Sequence, residues 1–153
     1  MLRRWGACFV GSILWACAPP PEEASPPRPD PAAFASTVYP ILLADCAFSG
    51  CHGNEQRFFR VHGPGRTRLD PATALFDPPT AEELALAYTR AASMLAGESG
   101  VRRGPLLRKP LAVEAGGAGH AGDDPWGQSI YLTKRDPRWE ALFFWAVTAE
   151  TLR

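Results

Sequence analysis

Apolar residues recur at helical spacing in three stretches of the chain, and each stretch opens on a capping signal. The first begins at Asp30-Pro31, a side-chain acceptor followed by the residue tolerated at the first helical position. Phe34, Val38, Ile41, Leu42 and Asp45 then follow at helical spacing and run directly into Cys46. Pro40 interrupts this stretch, which predicts a kink or two short pieces. The second opens with Thr80-Ala81-Glu82-Glu83, a capping box, and carries Leu84, Ala87, Tyr88, Ala91, Met94 and Leu95 until Gly97 ends it. The third repeats the cap pair at Asp136-Pro137 and places Trp139, Leu142, Phe143, Ala146 and Ala149 on one stripe. Phe144, Trp145 and Val147 make that last helix apolar nearly all round. Alternating, strand-like patterns are scarce, and residues 53–79 and 97–127 are rich in Gly and Pro. The expected fold is mainly α: a small helical domain with long Gly/Pro-rich loops.

A different pattern occupies the start of the chain. Arg3 and Arg4 precede the apolar stretch Trp5 to Ala16, which is too short to span a bilayer and has the length of a signal-peptide core. The segment Leu14-Trp15-Ala16-Cys17 resembles the bacterial lipobox, although Trp15 is bulky for its position. That resemblance implies cleavage before Cys17 and attachment of diacylglycerol to its thiol; an ordinary signal peptide cut elsewhere, or an uncleaved anchor, is the plain alternative. Residues 18–31, APPPEEASPPRPDP, form a Pro-rich polar tract suited to a semi-rigid spacer. The expected organisation is a leader over residues 1–17, a linker over 18–31 and a domain over 32–153. Ala18 is not the Asp that holds such lipoproteins at the inner membrane. The expected location is therefore the periplasmic side of the envelope, lipid-anchored, with the outer membrane favoured over the inner.

Charge and composition narrow the function. The chain has 153 residues, 46% of them apolar, with sixteen Lys and Arg balancing sixteen Asp and Glu. Loss of Arg3 and Arg4 with the leader makes the remainder slightly acidic, which argues against a nucleic-acid binder. Sixteen Pro and fourteen Gly require much turn and loop. No Gly-x-Ser-x-Gly elbow, His-Glu-x-x-His pair or phosphate-binding glycine loop occurs, and Asp123 and Asp124 lie in a loop without an evident partner. A classical enzyme is not expected.

Of the four cysteines, Cys8 falls in the leader and Cys17 at the lipobox, so Cys46 and Cys51 are the thiols of the domain. They frame Cys46-Ala47-Phe48-Ser49-Gly50-Cys51-His52. Two cysteines with His directly after the second form the attachment signature of c-type haem, usually with two residues between them; here there are four, as in a longer variant. Two thiols add across the two haem vinyl groups, and the adjacent imidazole becomes the proximal iron ligand. Extra residues can bulge outward, which Gly50 would ease. A Cys46–Cys51 disulfide is the main alternative in an oxidising compartment. Zinc is disfavoured, because His62 and His120 sit at no familiar ligand spacing.

The run Phe34, Val38, Tyr39, Pro40, Ile41, Leu42 to Cys46, Cys51, His52 and Gly53 resembles the class I cytochrome c superfamily. It is similar above all to the single-haem domains of planctomycete and myxobacterial lipoproteins. Those domains carry segments like Leu106 to Pro110, Gly116 to Asp123 around His120, and Trp139 to Trp145, so the resemblance covers about residues 32 to 150. It implies one covalent haem c bound at Cys46, Cys51 and His52, in a monomeric electron carrier serving redox partner proteins. The chain departs from the family in its four-residue gap and in lacking a Met-Pro pair near the C-terminus, which leaves the sixth iron ligand unassigned by the family pattern.

Two residues compete for that position. His120 sits among glycines, with no apolar stripe to account for it, and a histidine pair on iron would favour electron transfer. Met94 is the alternative, but it lies on the stripe of the second helix, where methionine usually fills core. An open sixth position is the third case, and His62 is left unassigned. The competing functional class is a non-enzymatic binding or scaffolding lipoprotein module with a Cys46–Cys51 disulfide and no haem.

Overall fold

The computed structural model describes residues 27–97, 100–120 and 129–151. Cys8, Cys17 and the rest of the leader, together with Asp123 and Asp124, lie outside the described residues. The elements run in the order α1 (Pro31–Ala33), a π-helical stretch (Phe34–Val38), α2 (Tyr39–Asp45), α3 (Ala81–Ser93), a 3-10 turn (Val101–Arg103), α4 (Pro105–Arg108), a second 3-10 turn (Val113–Ala115) and α5 (Pro137–Thr151). The fold is mainly α. Among the described residues the sole sheet-like pairing is an isolated parallel bridge between Leu111 and Tyr131.

All three capping signals operate. The Asp30 side chain accepts from Ala32 N at 2.8 Å. Thr80 Oγ1 accepts from Glu83 N at 3.2 Å while the Glu83 carboxylate accepts from Thr80 N at 3.0 Å. Asp136 Oδ1 accepts from Arg138 N at 2.9 Å. Around Pro40 the first helical stretch runs as separate pieces, α1, a π-helical turn and α2. The turn before the proline widens: Phe34–Val38 is π-helical, and Tyr39 N–H donates to Phe34 O, one residue beyond the α-helical partner. A π-bulge of this kind absorbs the missing proline N–H.

Phe34, fully buried, ties the helices together. Its ring lies 5.2 Å from that of Trp145 and 5.4 Å from that of Tyr88. Around it pack Val38, Leu42, Ala87, Leu95, Leu107, Leu142 and Ala146, each nearly or wholly removed from water. Complete burial of one such leucine contributes about 1.5–3 kcal/mol.

Two expectations change. Residues 97–127 were expected as loop throughout, yet Pro105–Arg108 forms a single helical turn that buries Leu106 and Leu107. A turn bounded by Pro105 and Pro110 is too short for apolar periodicity to register. The linker also ends earlier than its composition implies. Pro27 and Pro29 are buried, Tyr88 Oη donates to Pro29 O at 2.7 Å, and Trp145 Nε1 donates to Asp30 O at 2.8 Å. Proline rings are apolar and their carbonyls accept, so this part of the tract joins the domain.

One buried ion pair organises the long irregular segment before α3. Arg68 and Glu83 meet at 2.8 Å with almost no exposure of either side chain. Arg68 also donates to the carbonyls of Ala74, Asp77 and Pro78, and Glu83 accepts from Leu69 N at 3.1 Å. Glu83 therefore serves the capping box and the loop at once. Burial alone would raise its carboxyl, but the hydrogen bonds from Arg68, Thr80 and Leu69 outweigh that and hold it below the usual range.

Candidate functional site

α2 delivers the chain to Cys46, whose N–H still donates to Leu42 O at 2.9 Å. The next residues fold into a compact turn. Cys51 N and Gly53 N both donate to Phe48 O, at 2.8 and 2.9 Å, and His52 N donates to Cys46 O at 3.0 Å. Phe48, Ser49 and Gly50 bulge into solvent while Ala47 is buried, so the longer gap is accommodated outward. Gly50 is not what permits it. Its φ is not positive, and a Cβ there would meet nothing within 4 Å. The glycine the turn requires is Gly53, where a Cβ would stand 2.5 Å from Ala47 O.

Cys46 and Cys51 are free thiols, each half-buried. Burial pushes the Cys46 thiol up to about 12, and the neighbouring Asp45 carboxylate adds to the effect. A thiol held protonated is a poor nucleophile.

His52 is aimed by the backbone downstream. Its Nδ1 lies 2.9 Å from Phe59 O, its carbonyl accepts from Val61 N at 2.8 Å, and the Phe59 ring packs 4.7 Å away. An Nδ1–H donated to a carbonyl leaves the Nε2 lone pair for a ligand bond. Burial holds the His52 pKa below its ordinary value; the Phe59 hydrogen bond opposes this, and the nearby His120, Arg57 and Lys109 reinforce it. The ring is therefore neutral near pH 7, the form that binds metals.

His120 faces it. The two imidazole centroids are 5.8 Å apart, with the rings inclined by 57°. The glycine loop is held for this by backbone contacts. Ala112 N donates to Tyr131 O and Tyr131 N to Pro110 O, both at 2.9 Å. Gly117 runs against the Leu111 carbonyl, where a Cβ would come within 1.8 Å, and Ala118 N donates to Arg108 O at 2.9 Å. Met94 reaches the same place from the end of α3, and its carbonyl accepts from Leu106 N at 3.0 Å.

Cys46, Cys51, His52, His120 and Met94 all line one pocket, walled mainly by Leu42, Phe59, Leu106, Ile130 and Leu142. At its rim Tyr131 Oη donates to Asp45 Oδ2 at 3.0 Å, and Arg138 Nη1 holds Asp45 Oδ1 at 2.9 Å. Burial, with Asp45 and Cys46 nearby, raises the Tyr131 phenol well above its usual value. No motif announces Asp45, Tyr131 and Arg138, which are distant in sequence. His62 lies elsewhere. It is buried, its Nδ1 is 3.3 Å from Thr67 O, and its Nε2 has no hydrogen-bond partner.

The donor set suits a flat, iron-bearing cofactor better than a bare ion. Among the described residues no three His, Cys, Asp or Glu side chains converge as a metal-ion cage. The free volume of the pocket, about 70 Å³, is far smaller than the roughly 300–1,000 Å³ of ordinary ligand pockets. Two thiols and two imidazoles on one apolar pocket are the donor set a covalently attached porphyrin would use, although the free volume as it stands would not admit one. No family model, curated protein or solved structure matches the chain. No helix among the described residues is long and apolar enough to cross a membrane.

Proposed function

We propose that the chain is a small, cytochrome c-like electron carrier holding one covalent haem c at Cys46, Cys51 and His52, with His120 as the second axial ligand. The observation that carries this reading is the facing of His52 and His120 across an apolar pocket that also contains both cysteines. The haem, when bound, supplies reversible one-electron chemistry at its iron. The chain's own part is to fix two sulfurs, orient His52 through Phe59 O, present His120 from an anchored loop and keep water away with aliphatic walls. On the sequence features of residues 1–31, the domain is exported and tethered through a lipid on Cys17, with the outer membrane favoured.

Expression with haem-maturation machinery tests the proposal. The denatured protein should retain haem mass and a visible spectrum, and replacing Cys46 and Cys51 together by Ala should abolish both. His120→Ala should convert a six-coordinate spectrum into one that binds added imidazole or carbon monoxide. Colourless folded protein from cells competent in loading would defeat the idea.

The small volume of the pocket favours a second reading, a binding or scaffolding lipoprotein with a Cys46–Cys51 disulfide and no haem. Loss of two hydrogens from the peptide holding both cysteines, without haem mass, would identify it.

A further inference from the structure

The segment from Pro105 to Leu111 has two faces. Leu106, Lys109 and Pro110 line the pocket already described, whereas Leu107, Arg108 and Leu111 line a groove on its other side. That groove has a volume of about 360 Å³, within the range of small-molecule sites. Its floor is apolar and flat: Trp139 and Phe143 stack with centroids 5.4 Å apart and planes inclined by only 14°. The Trp139 indole is locked there, since Nε1 donates to Leu107 O at 2.9 Å.

Four cations surround this floor: Arg102, Arg103, Arg108 and Lys134. Arg102 lies 5.6 Å from the Phe143 ring and is paired with Glu150 at 3.0 Å. Among the described residues no carboxylate pairs with Arg103, Arg108 or Lys134. Lys134 is held across the left-handed turn at Gly116, its Nζ about 3.5 Å from where a Cβ of that residue would lie. Gathering positive charge around a concave surface raises the local potential and attracts anions.

We propose that this groove binds a small organic anion with a flat apolar body, whose oxyanion group is held by Arg103, Arg108 and Lys134 while its body lies over Phe143 and the edge of Trp139. Guanidinium forks suit carboxylate and phosphate alike. The site stands apart from the haem reading and uses none of its residues.

The test is calorimetric titration of the full chain with two probes, 1-naphthyl phosphate and naphthalene-2,6-dicarboxylate, beside inorganic phosphate and 2-naphthol. One or both probes should saturate at one site per chain and weaken as salt rises; the tighter of the two identifies the oxyanion class. Arg108→Gln and Lys134→Gln should each weaken binding about tenfold, the loss of one charge-assisted contact. Arg135→Gln, a neighbouring cation outside the groove, should leave binding unchanged. Lys134 is exposed, so its substitution reads binding even if Arg108→Gln disturbs folding. The proposal is overturned if neither probe saturates, if Lys134→Gln binds like the unmodified chain, or if ringless phosphate or neutral naphthol binds as tightly as the probes.

Discussion

The two cavities flanking Pro105–Leu111 differ in almost every physical respect. One is tight, apolar and carries soft donors: two thiols, a thioether and two imidazoles. The other has several times the free volume and is ringed by guanidinium and ammonium groups. A single short segment serves both because α4 is one helical turn, so successive residues point to different sides. A wall one turn thick thus separates a mainly apolar pocket, with Asp45 and Lys109 in its lining, from a groove dominated by cations. Whatever moves Leu106 on one side moves Leu107 on the other.

The largest effect should come from a residue lining neither cavity. Glu83→Gln removes one partner of the buried pair with Arg68 and should cost about 3–5 kcal/mol in denaturant unfolding. It should also loosen the pocket, since α3 leads directly into Met94 in its lining, and disturb the groove less. Acid should act on the same bond. The Glu83 carboxyl is lower in the folded chain than in the unfolded one, so its contribution is complete above the ordinary carboxylate range of about 4.3 and is lost as pH falls through the folded value. Unfolding midpoints measured from pH 6 downward should drop steeply in the unmodified chain and less in Glu83→Gln; equal slopes would show that other carboxylates dominate.

A smaller effect is expected where the wall between the cavities meets the glycine loop. Gly117→Ala forces a methyl group into the Leu111 carbonyl and should cost about 1–3 kcal/mol. Because Leu111 and Gly116 line the groove and His120 the pocket, it should weaken binding of the naphthyl probes and alter the spectrum of haem-loaded protein together. The smallest effect is expected at the turn between the cysteines. Gly50→Ala should leave stability within about 0.5 kcal/mol of the parent, whereas Gly53→Ala should be clearly destabilising in the same assay. The reverse order would mean that the bulge is built differently.

How much of this could be read beforehand follows from whether the signal is local. The caps at Asp30, Thr80 and Asp136 are contacts within three residues, and each is present as the sequence implies. Cys46, Cys51 and His52 stand out in the sequence by their spacing and His120 by its glycine-rich surroundings, and the structure brings all four to one pocket. The hidden parts all depend on tertiary approach. Arg68 meets Glu83 across an irregular loop, Tyr131 and Arg138 reach Asp45 from the far end of the chain, and Gly53 and Gly117 are needed only because a distant or folded-back carbonyl passes close by. Gly50 was singled out because glycine suggests flexibility, yet the turn closes without a left-handed residue. Composition also misjudged residues 27–31, whose prolines supply apolar rings and free acceptors to the helices above them.

Asp30 N donates to Thr148 Oγ1 at 2.9 Å and Asp30 O accepts from Trp145 Nε1, so Asp30 is stitched to the final helix. A force applied to the chain at Asp30 would first be resisted by these two bonds and the Trp145 ring. Once that seam gave way, the load would pass along α1 and α2 straight to Cys46, so the cysteine turn would be the next part to feel the strain.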